Sequence, residues 1–403
     1  CRSLTTNILN NLTTNDTNVH IMLKENAIFG LFDQYLYVAS ELIQTLIVPD
    51  QRIKFSSYLF QIQDIHAYEV DFSNSKGILQ SKQFIFNVRD VHVQFKFMYK
   101  FTQQIFPYSE GDGQGIVDLF ADMQLIGEFA NSNSSCPYHI QMDNVISMFQ
   151  IQKFSLQLPD APAFIQAITK ILTTLFQDVF NEILSQLMNQ VNYALTEMLN
   201  KVDPVYFINQ QFATDSRAID VFSDSNLQLQ QSGLVCSFDG FDKPCLTELS
   251  AAQSISKKPA KLTNHKLQIF LSVNAFQHLF DHLWYLKMTK DKIKVVKMVN
   301  TGVVIEVQQE TEKATILCQV KVKTGQDPRK SVYVYVQPFL QAEQLISGTE
   351  KFDFYLFKAA NNPIFEANTH NIYTFGFVNS TNAVILILNN EWVDIGLNVD
   401  INE

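Results

Sequence analysis

The sequence is short of charge, and it lacks the short motifs that identify many enzymes. Asp, Glu, Lys and Arg make up 17% of the 403 residues, against 46% hydrophobic residues. A chain of this composition folds around a large apolar core and is not disordered. It contains no Gly-x-Ser-x-Gly, no glycine-rich phosphate loop and no His-Glu-x-x-His. We therefore expect a protein that is not an enzyme.

Basic residues are also too few for a nucleic-acid-binding protein. The chain has 30 Lys and Arg against 40 Asp and Glu, a net charge of −10. Residues 1–200 carry most of the excess, with 11 basic and 19 acidic side chains. Binding to phosphates needs the opposite sign, which excludes nucleic acid as a partner. One local exception is a cluster of five lysines, which indicates either a solvated strand face or a patch for lipid headgroups. The cluster comprises Lys287, Lys290, Lys292, Lys294 and Lys297.

The spacing of cysteine and histidine predicts no metal site. None of the five Cys and eight His falls in a zinc-binding pattern. His278 and His282 are four residues apart on a predicted helix, which is more typical of packing or surface histidines than of a metal pair.

Cysteine usage favours one local disulfide. Cys236 and Cys245 lie in VCSFDGFDKPC, whose Gly and Pro favour a tight loop, and we expect these two to be bonded. An odd thiol remains among three others, and their pairing is open: Cys1, Cys136 and Cys318.

Glycosylation signals predict a secreted or lumenal, extracellular location. The sequence begins at Cys1 rather than Met, so we expect that a leader has been removed. Asn-x-Ser/Thr sequons occur four times, in polar sequence that is typical of loops: Asn11, Asn15, Asn133 and Asn379.

Hydrophobic periodicity divides the chain into helices and strands. Residues 26–48 have helical spacing and end at Pro49, whereas 83–101 alternate like a strand. The alternation changes phase at Arg89 and Asp90, which predicts a bulge. We expect a loose start over 1–20, a glycine-rich turn in EGDGQG, and strand after strand from 293 onward, including KFDFYLFK.

The longest predicted helix covers 164–202 without a Pro or Gly. Polar residues such as Lys170 and Asp178 interrupt it too often for a membrane span. Its apolar pairs recur every four residues instead of the 3.5 of a coiled coil, so the stripe winds about 160° around the axis over 171–188. The whole helix would be about 58 Å long. A flat surface cannot cover such a stripe, which favours a curved sheet wrapped around the helix.

The order of these elements resembles the tubular lipid-binding (TULIP) superfamily. Within it the chain is similar to bactericidal/permeability-increasing protein, lipopolysaccharide-binding protein and the cholesteryl-ester and phospholipid transfer proteins. LFDQYLYVASELIQTLIVPDQRIKF resembles the opening helix, proline and first strand of that family. Later segments resemble its central-sheet strand, the start of its second barrel and its closing strand: DSNLQLQQSGLV, KLQIFLSVNAFQHLFDHLWYL and NNEWVDIGLNVDI.

The resemblance implies an α+β, elongated two-barrel fold whose highly twisted antiparallel sheets each wrap around a helix. The implied domains are an N-terminal barrel at 1–204, a crossing segment and central sheet at 205–260, and a C-terminal barrel at 261–403. The C-terminal barrel lacks a clear long helix, so a reduced barrel remains open. The family disulfide would join Cys136 to a cysteine in the long helix, which has none.

The function that the resemblance implies is binding, and possible transfer, of phospholipid or a similar lipid, with no cofactor. Partners would then include a membrane surface or lipid particle. Two alternatives remain: a structural subunit of a larger lumenal or surface assembly, and innate-defence binding of microbial lipid, which the acidic balance disfavours. The implied lipid-lining residues lie on both helices and the facing strand: Phe29, Phe32, Leu36, Phe84, Phe86, Val93, Phe95, Leu172, Phe176, Phe180 and Leu184.

Overall fold

The chain forms two compact units, each made of more than one stretch of sequence. The computed structural model describes residues 17–45, 48–72, 74–80, 83–131, 140–159, 161, 163–200, 205–207, 212–223, 225–233, 235–237, 265–327, 330–368, 372–374, 378–387 and 391–401. The smaller unit comprises 32–128 and 142–197, and the larger unit comprises 1–31, 129–141 and 198–403. The domain boundaries at 204 and 260 stay predictions.

Most of the described chain is antiparallel strand. The first half contains β1 (Val19–Lys24), α1 (Glu25–Thr45), β2 (Gln51–Phe55), β3 (Tyr58–Asp71), β4 (Asn74–Gln80), β5 (Gln83–Gln103), β6 (Glu110–Asn131), β7 (Ile140–Gln157) and α2 (Ala163–Asn200). The middle contains β8 (Val205–Phe207), β9 (Phe212–Asp215), β10 (Ala218–Ser223), β11 (Asn226–Gln231) and β12 (Val235–Ser237). The last part contains β13 (Leu267–Ser272), α3 (Val273–Tyr285), β14 (Lys292–Val299), β15 (Gly302–Gln309), β16 (Glu312–Asp327), β17 (Lys330–Gly348), α4 (Phe354–Ala367), β18 (Ile372–Thr374), β19 (Val378–Ile387) and β20 (Trp392–Ile401).

The smaller unit is built on a sheet in the order β2-β3-β5-β6-β7, with β4 paired to β5 outside that path. Along β5 the side chains alternate between a buried and an exposed face, as the sequence predicts. The sheet is curled into a half-barrel. The two helices α1 and α2 are confirmed close to their predicted limits.

One bulge keeps β5 in phase with its neighbour. The register against β6 shifts between Val88 and Val91, and Asp90 has a positive φ of 54°. The N–H of Asp90 donates to the carboxylate of Asp122 at 3.1 Å, and the amide of Gln152 donates to the same carboxylate at 3.0 Å. The extra residue returns the following apolar side chains to the buried face and increases the local twist. The bulge predicted at this point is confirmed.

The glycines of EGDGQG lie in strand β6, so the predicted turn is wrong. Gly111, Gly113 and Gly115 pair with residues of β5, and a Cβ on any of them would overlap the ring of that partner. The partners are Phe101, Tyr99 and Phe97 in that order. Glycine is therefore needed at these positions, because aromatic rings of the neighbouring strand occupy the space that a larger residue's side chain would fill.

The described residues of the larger unit form three sheets. A six-stranded sheet has the order β10-β11-β1-β13-β20-β19, a five-stranded sheet has the order β14-β15-β16-β17-β18, and β12, β9 and β8 form a third. Strand β11 lies within DSNLQLQQSGLV and β20 within NNEWVDIGLNVDI, so both predicted strands are confirmed. The predicted loose start is wrong for its last two residues, Val19 and His20, which belong to β1 between β11 and β13.

The segment KFDFYLFK begins helix α4, and the predicted strand there is wrong. Asp353 caps the helix by accepting from the N–H of Leu356 at 2.9 Å. Phe357, Asn361 and Phe365 are buried at intervals of four residues, which is helical spacing. The helix has 14 residues, so it is not the long C-terminal helix of the family pattern.

Cysteines and sequons fall partly outside the described residues. This applies to Cys1, Cys136 and Cys245, to the side chain of Cys236, and to Asn11, Asn15 and Asn133. The disulfide and these three glycosylation sites stay predictions. Asn379 lies in strand β19 opposite Asp400, so its predicted loop position is wrong. Cys318 is a buried free thiol in β16, and burial raises its pKa to about 12.

No described helix combines the length and the hydropathy needed to cross a membrane.

A first prediction tests the glycine–ring pairs. Gly115→Ala should lower the free energy of unfolding by about 1–3 kcal/mol, since the added methyl must displace the buried ring of Phe97. Gly348→Ala is the control, because its new Cβ would meet nothing closer than 3.4 Å. Urea unfolding of both variants measures the difference, and equal midpoints would contradict the steric explanation.

Candidate functional site

The first contact between helix and sheet involves α1 and the start of β5. The ring centroid of Phe32 lies 5.1 Å from that of Phe86 and 5.8 Å from that of Phe84. All three side chains are buried. Helical spacing places Leu36 one turn after Phe32, and it is buried as well. Residues before the bulge in β5 therefore hold α1.

A second contact joins α2 to the part of β5 that follows the bulge. The ring of Phe180 lies 4.9 Å from Phe95 and 5.8 Å from Phe154 in β7. One turn earlier, the ring of Phe176 lies 5.6 Å from Phe97. Phe176 and Phe180 are both fully buried. Pairs of this kind stabilise by about 0.5–1.5 kcal/mol beyond their buried area.

Ten of the eleven predicted lining residues are described, and all ten are buried. This group comprises Phe29, Phe32, Leu36, Phe84, Phe86, Val93, Phe95, Phe176, Phe180 and Leu184. The side chain of Leu172 lies outside the description, although its backbone is in α2. The structure thus brings the predicted helix and strand residues of the smaller unit together, while contact of any of them with lipid stays a prediction.

Two of the aromatic residues that contact α2, Phe97 and Phe154, are absent from the predicted set. Phe97 is two residues beyond Phe95 and could have been found by continuing the strand alternation. Phe154 could not, because β7 loses its alternation at Gln152 and Lys153, both of which are exposed.

The described interior of the smaller unit is predominantly apolar. Apart from Gly115 and Gly127, every buried residue described between 32 and 128 or between 142 and 197 is hydrophobic, and the polar side-chain atoms buried there include the hydroxyl of Tyr99 and Oδ1 of Asn192. The larger unit differs, because its interior contains polar and charged groups such as Asp215, His278 and Asp394. Burying a polar group without a partner is costly, so a polar interior requires specific pairing. An apolar interior does not require its occupant to form specific hydrogen bonds or ion pairs.

Edge strand β7 leaves part of this apolar face accessible. Val145 lies on the inner face, because its Cγ2 and the ring of Phe84 both lie next to the position that a Cβ on Gly127 would occupy. Val145, Phe149 and Ile151 alternate along the strand and are only half-buried. The equivalent face of β5 is closed. The geometry therefore defines a site along β7 where an apolar chain could bury these residues further.

The histidines of α3 are packing residues within the described structure. His278 and His282 are buried, with ring centroids 6.2 Å apart. Burial lowers the pKa of His278 to about 4, and burial together with its neighbour His278 lowers the pKa of His282 to about 3. Among the described residues, no group of three or more His, Cys, Asp or Glu is placed to hold a metal ion.

Comparison with solved structures identifies the fold. The crystal structure of lipopolysaccharide binding protein matches 96% of this chain and 100% of its own with a TM-score of 0.57, at 10% identity. The chain has the fold of that protein, and the predicted α+β TULIP class is confirmed.

Two other solved structures align less well. Takeout 1 of Epiphyas postvittana has a TM-score of 0.31 at 15% identity, covering 45% of this chain and 94% of that one. P47 from Clostridium botulinum A2 has a TM-score of 0.25 at 9% identity, covering 95% and 97%. No family model and no curated protein matches the sequence.

A second prediction concerns pH. In the unfolded chain both histidines titrate near pH 6.5, whereas in the folded chain they stay neutral down to about pH 4 and about pH 3. Stability is therefore unaffected above pH 6.5 and falls as the pH drops below it, by at most about 2.7 kcal/mol per pH unit for two protons. Urea unfolding from pH 7 to pH 4.5 measures this slope. His278→Gln should make this slope shallower. An unchanged slope would contradict the view that the buried histidines cause the loss of stability at low pH.

Proposed function

We propose that the smaller unit binds phospholipid or a similar lipid against the apolar face formed by α1, α2 and the curled sheet. The observation that carries the proposal is the predominantly hydrophobic interior described for this unit, together with the half-buried strip Val145, Phe149 and Ile151 on β7. Lipid pockets need apolar lining with few polar groups. An acyl chain of about 16 carbons would contribute roughly 10 kcal/mol on burial, before the cost of association.

The shared fold supports this proposal by analogy, since the matched structure is named for binding lipopolysaccharide. On the same ground we propose that the chain is a relative of bactericidal/permeability-increasing protein. Lipopolysaccharide itself is the less favoured ligand, because residues 1–200 carry 19 acidic against 11 basic side chains and lipid A is anionic. The proposed role is that of a carrier, glycosylated and secreted, without catalytic activity.

A third prediction follows for the purified protein. Native mass spectrometry after gentle extraction should show a lipid bound in a fixed ratio, because exposing the apolar strip of β7 to water is unfavourable. A lipid-free chain tightly bound to other proteins would instead indicate a structural subunit and would contradict the carrier proposal.

A fourth prediction separates an effect on lipid binding from an effect on the stability of the fold. Phe176→Asn should lower lipid occupancy, because it places an amide in the apolar interior of the smaller unit beside Phe97. Phe280→Asn is a matched control in α3, where the ring is equally buried and packs 5.2 Å from Phe365.

Both variants should lose a similar amount of stability, by several kcal/mol, as judged by urea unfolding. Only Phe176→Asn should reduce the ratio of lipid to protein measured by mass spectrometry on the folded fraction. Equal loss of lipid in both variants would mean that the smaller unit is not the binding site.

A further inference from the structure

The end of α3 and the strand that follows it form an exposed surface of unusual composition. Within 14 residues the larger unit exposes two aromatic side chains and five lysines, which we call the basic-aromatic patch: Trp284, Tyr285, Lys287, Lys290, Lys292, Lys294 and Lys297. The aromatic residues complete α3, Lys287 and Lys290 are in the connecting loop, and the other lysines lie on β14. The structure thus adds two aromatic anchors to the lysine cluster of the sequence.

The patch has a positive charge that nearby acids do not cancel. Along β14 the lysines at 292, 294 and 297 face Gln308, Glu306 and Val304, so one acid opposes three lysines. The only acid between residues 284 and 297 is Asp291, which is buried and accepts from the amide of Asn361 at 3.2 Å. This local sign is opposite to the net charge of −10 of the whole chain.

Trp284 lies within the charged surface rather than beside it. The ammonium of Lys292 is 5.3 Å from the centroid of its indole ring, and 47% of the Trp284 side chain is exposed. Tyr285 is exposed to a similar degree. Trp and Tyr have an apolar ring with a polar end, and they concentrate at the headgroup level of membranes. Lysine stems allow the ammonium groups to remain in water or near lipid phosphates.

Protection of a sheet edge explains only part of this surface. Strand β14 is at the edge of its five-stranded sheet, and lysines on edge strands prevent pairing with other chains. That explanation covers the β14 lysines. It does not account for Lys287 and Lys290 outside the strand, and it does not account for exposed Trp284 and Tyr285, which would favour association.

The composition favours a lipid surface over a protein partner. Protein interfaces are depleted in Lys and enriched in Arg, whereas this patch has five lysines and no arginine. Anionic bilayers attract lysines through their surface potential and need no matching groove. We propose that the basic-aromatic patch docks the protein on an anionic phospholipid bilayer. This docking does not depend on lipid being held in the smaller unit.

The experiment uses the full chain and vesicles of phosphatidylcholine, with or without phosphatidylserine. The two tryptophans provide a direct signal, because Trp284 is exposed and Trp392 is 1% exposed. Docking should shift the fluorescence of Trp284 to shorter wavelength with phosphatidylserine vesicles only, and Trp284→Phe should abolish the shift. High salt should weaken binding, since it screens the lysines.

Neutralising two lysines tests the charge. Lys292→Gln with Lys294→Gln should lower the vesicle partition coefficient about 25-fold, or roughly fivefold per lysine. Lys96→Gln with Lys153→Gln is the matched control, since both are exposed strand lysines near an aromatic ring, at 3.9 Å and 5.4 Å from its centroid. The control should bind vesicles normally.

Three outcomes would overturn the proposal. The first is equal weakening by both pairs of substitutions, which would mean a general charge effect. The second is unchanged vesicle binding with increased self-association of the Lys292/Lys294 variant, which would mean edge protection alone. The third is absence of vesicle binding while the patch retains an immobilised acidic polypeptide, which would identify a protein partner.

Discussion

The smaller unit depends on one constraint, the packing of the buried side chains of β5. These side chains are aromatic at both ends of the strand, where they contact two helices and the glycines of β6. Phe95 and Phe97 contact α2, while Phe84 and Phe86 contact α1. The buried side chains of β5 can face one way along 21 residues only because the bulge at Asp90 absorbs an extra residue. Without the bulge, the side chains on one side of it would point to solvent. Helix position, sheet curvature and the hydrophobic interior therefore share one cause.

The two units use their interiors differently. The described interior of the smaller unit is predominantly hydrophobic and its buried residues carry no charge, whereas the larger unit buries an ion pair, with Arg217 donating to Asp215 at 2.8 and 2.9 Å. Buried polar groups of this kind require fixed geometry, so they favour a single packing arrangement. A hydrophobic interior tolerates rearrangement, because apolar contacts are not directional. The smaller unit is thus the better suited of the two to accept ligands of varied length.

The parts of the fold that could be predicted are those decided by local pattern. The two long helices and the phase change in β5 follow from the spacing of apolar residues. The glycines of β6 could not be placed, because their strand conformation depends on rings of a partner strand such as Phe97. KFDFYLFK alternates like a strand, and only the cap at Asp353 and packing in the larger unit make it a helix. The burial of the predicted lining residues could be predicted as a group, but the half-buried strip on β7 depends on which strand lies at the edge.

Strand β1 has a consequence for the order in which the chain is assembled. It pairs with β11 and with β13, whose partner residues are more than 200 positions later in the sequence. Contacts of such separation form late, since the intervening chain must close a long loop first. Most of the smaller unit lies between those partners and is complete well before β13 emerges from the ribosome. Until β11 emerges, Val19–Lys24 has neither of its described partner strands, so a nascent chain presents an apolar segment that a chaperone would recognise.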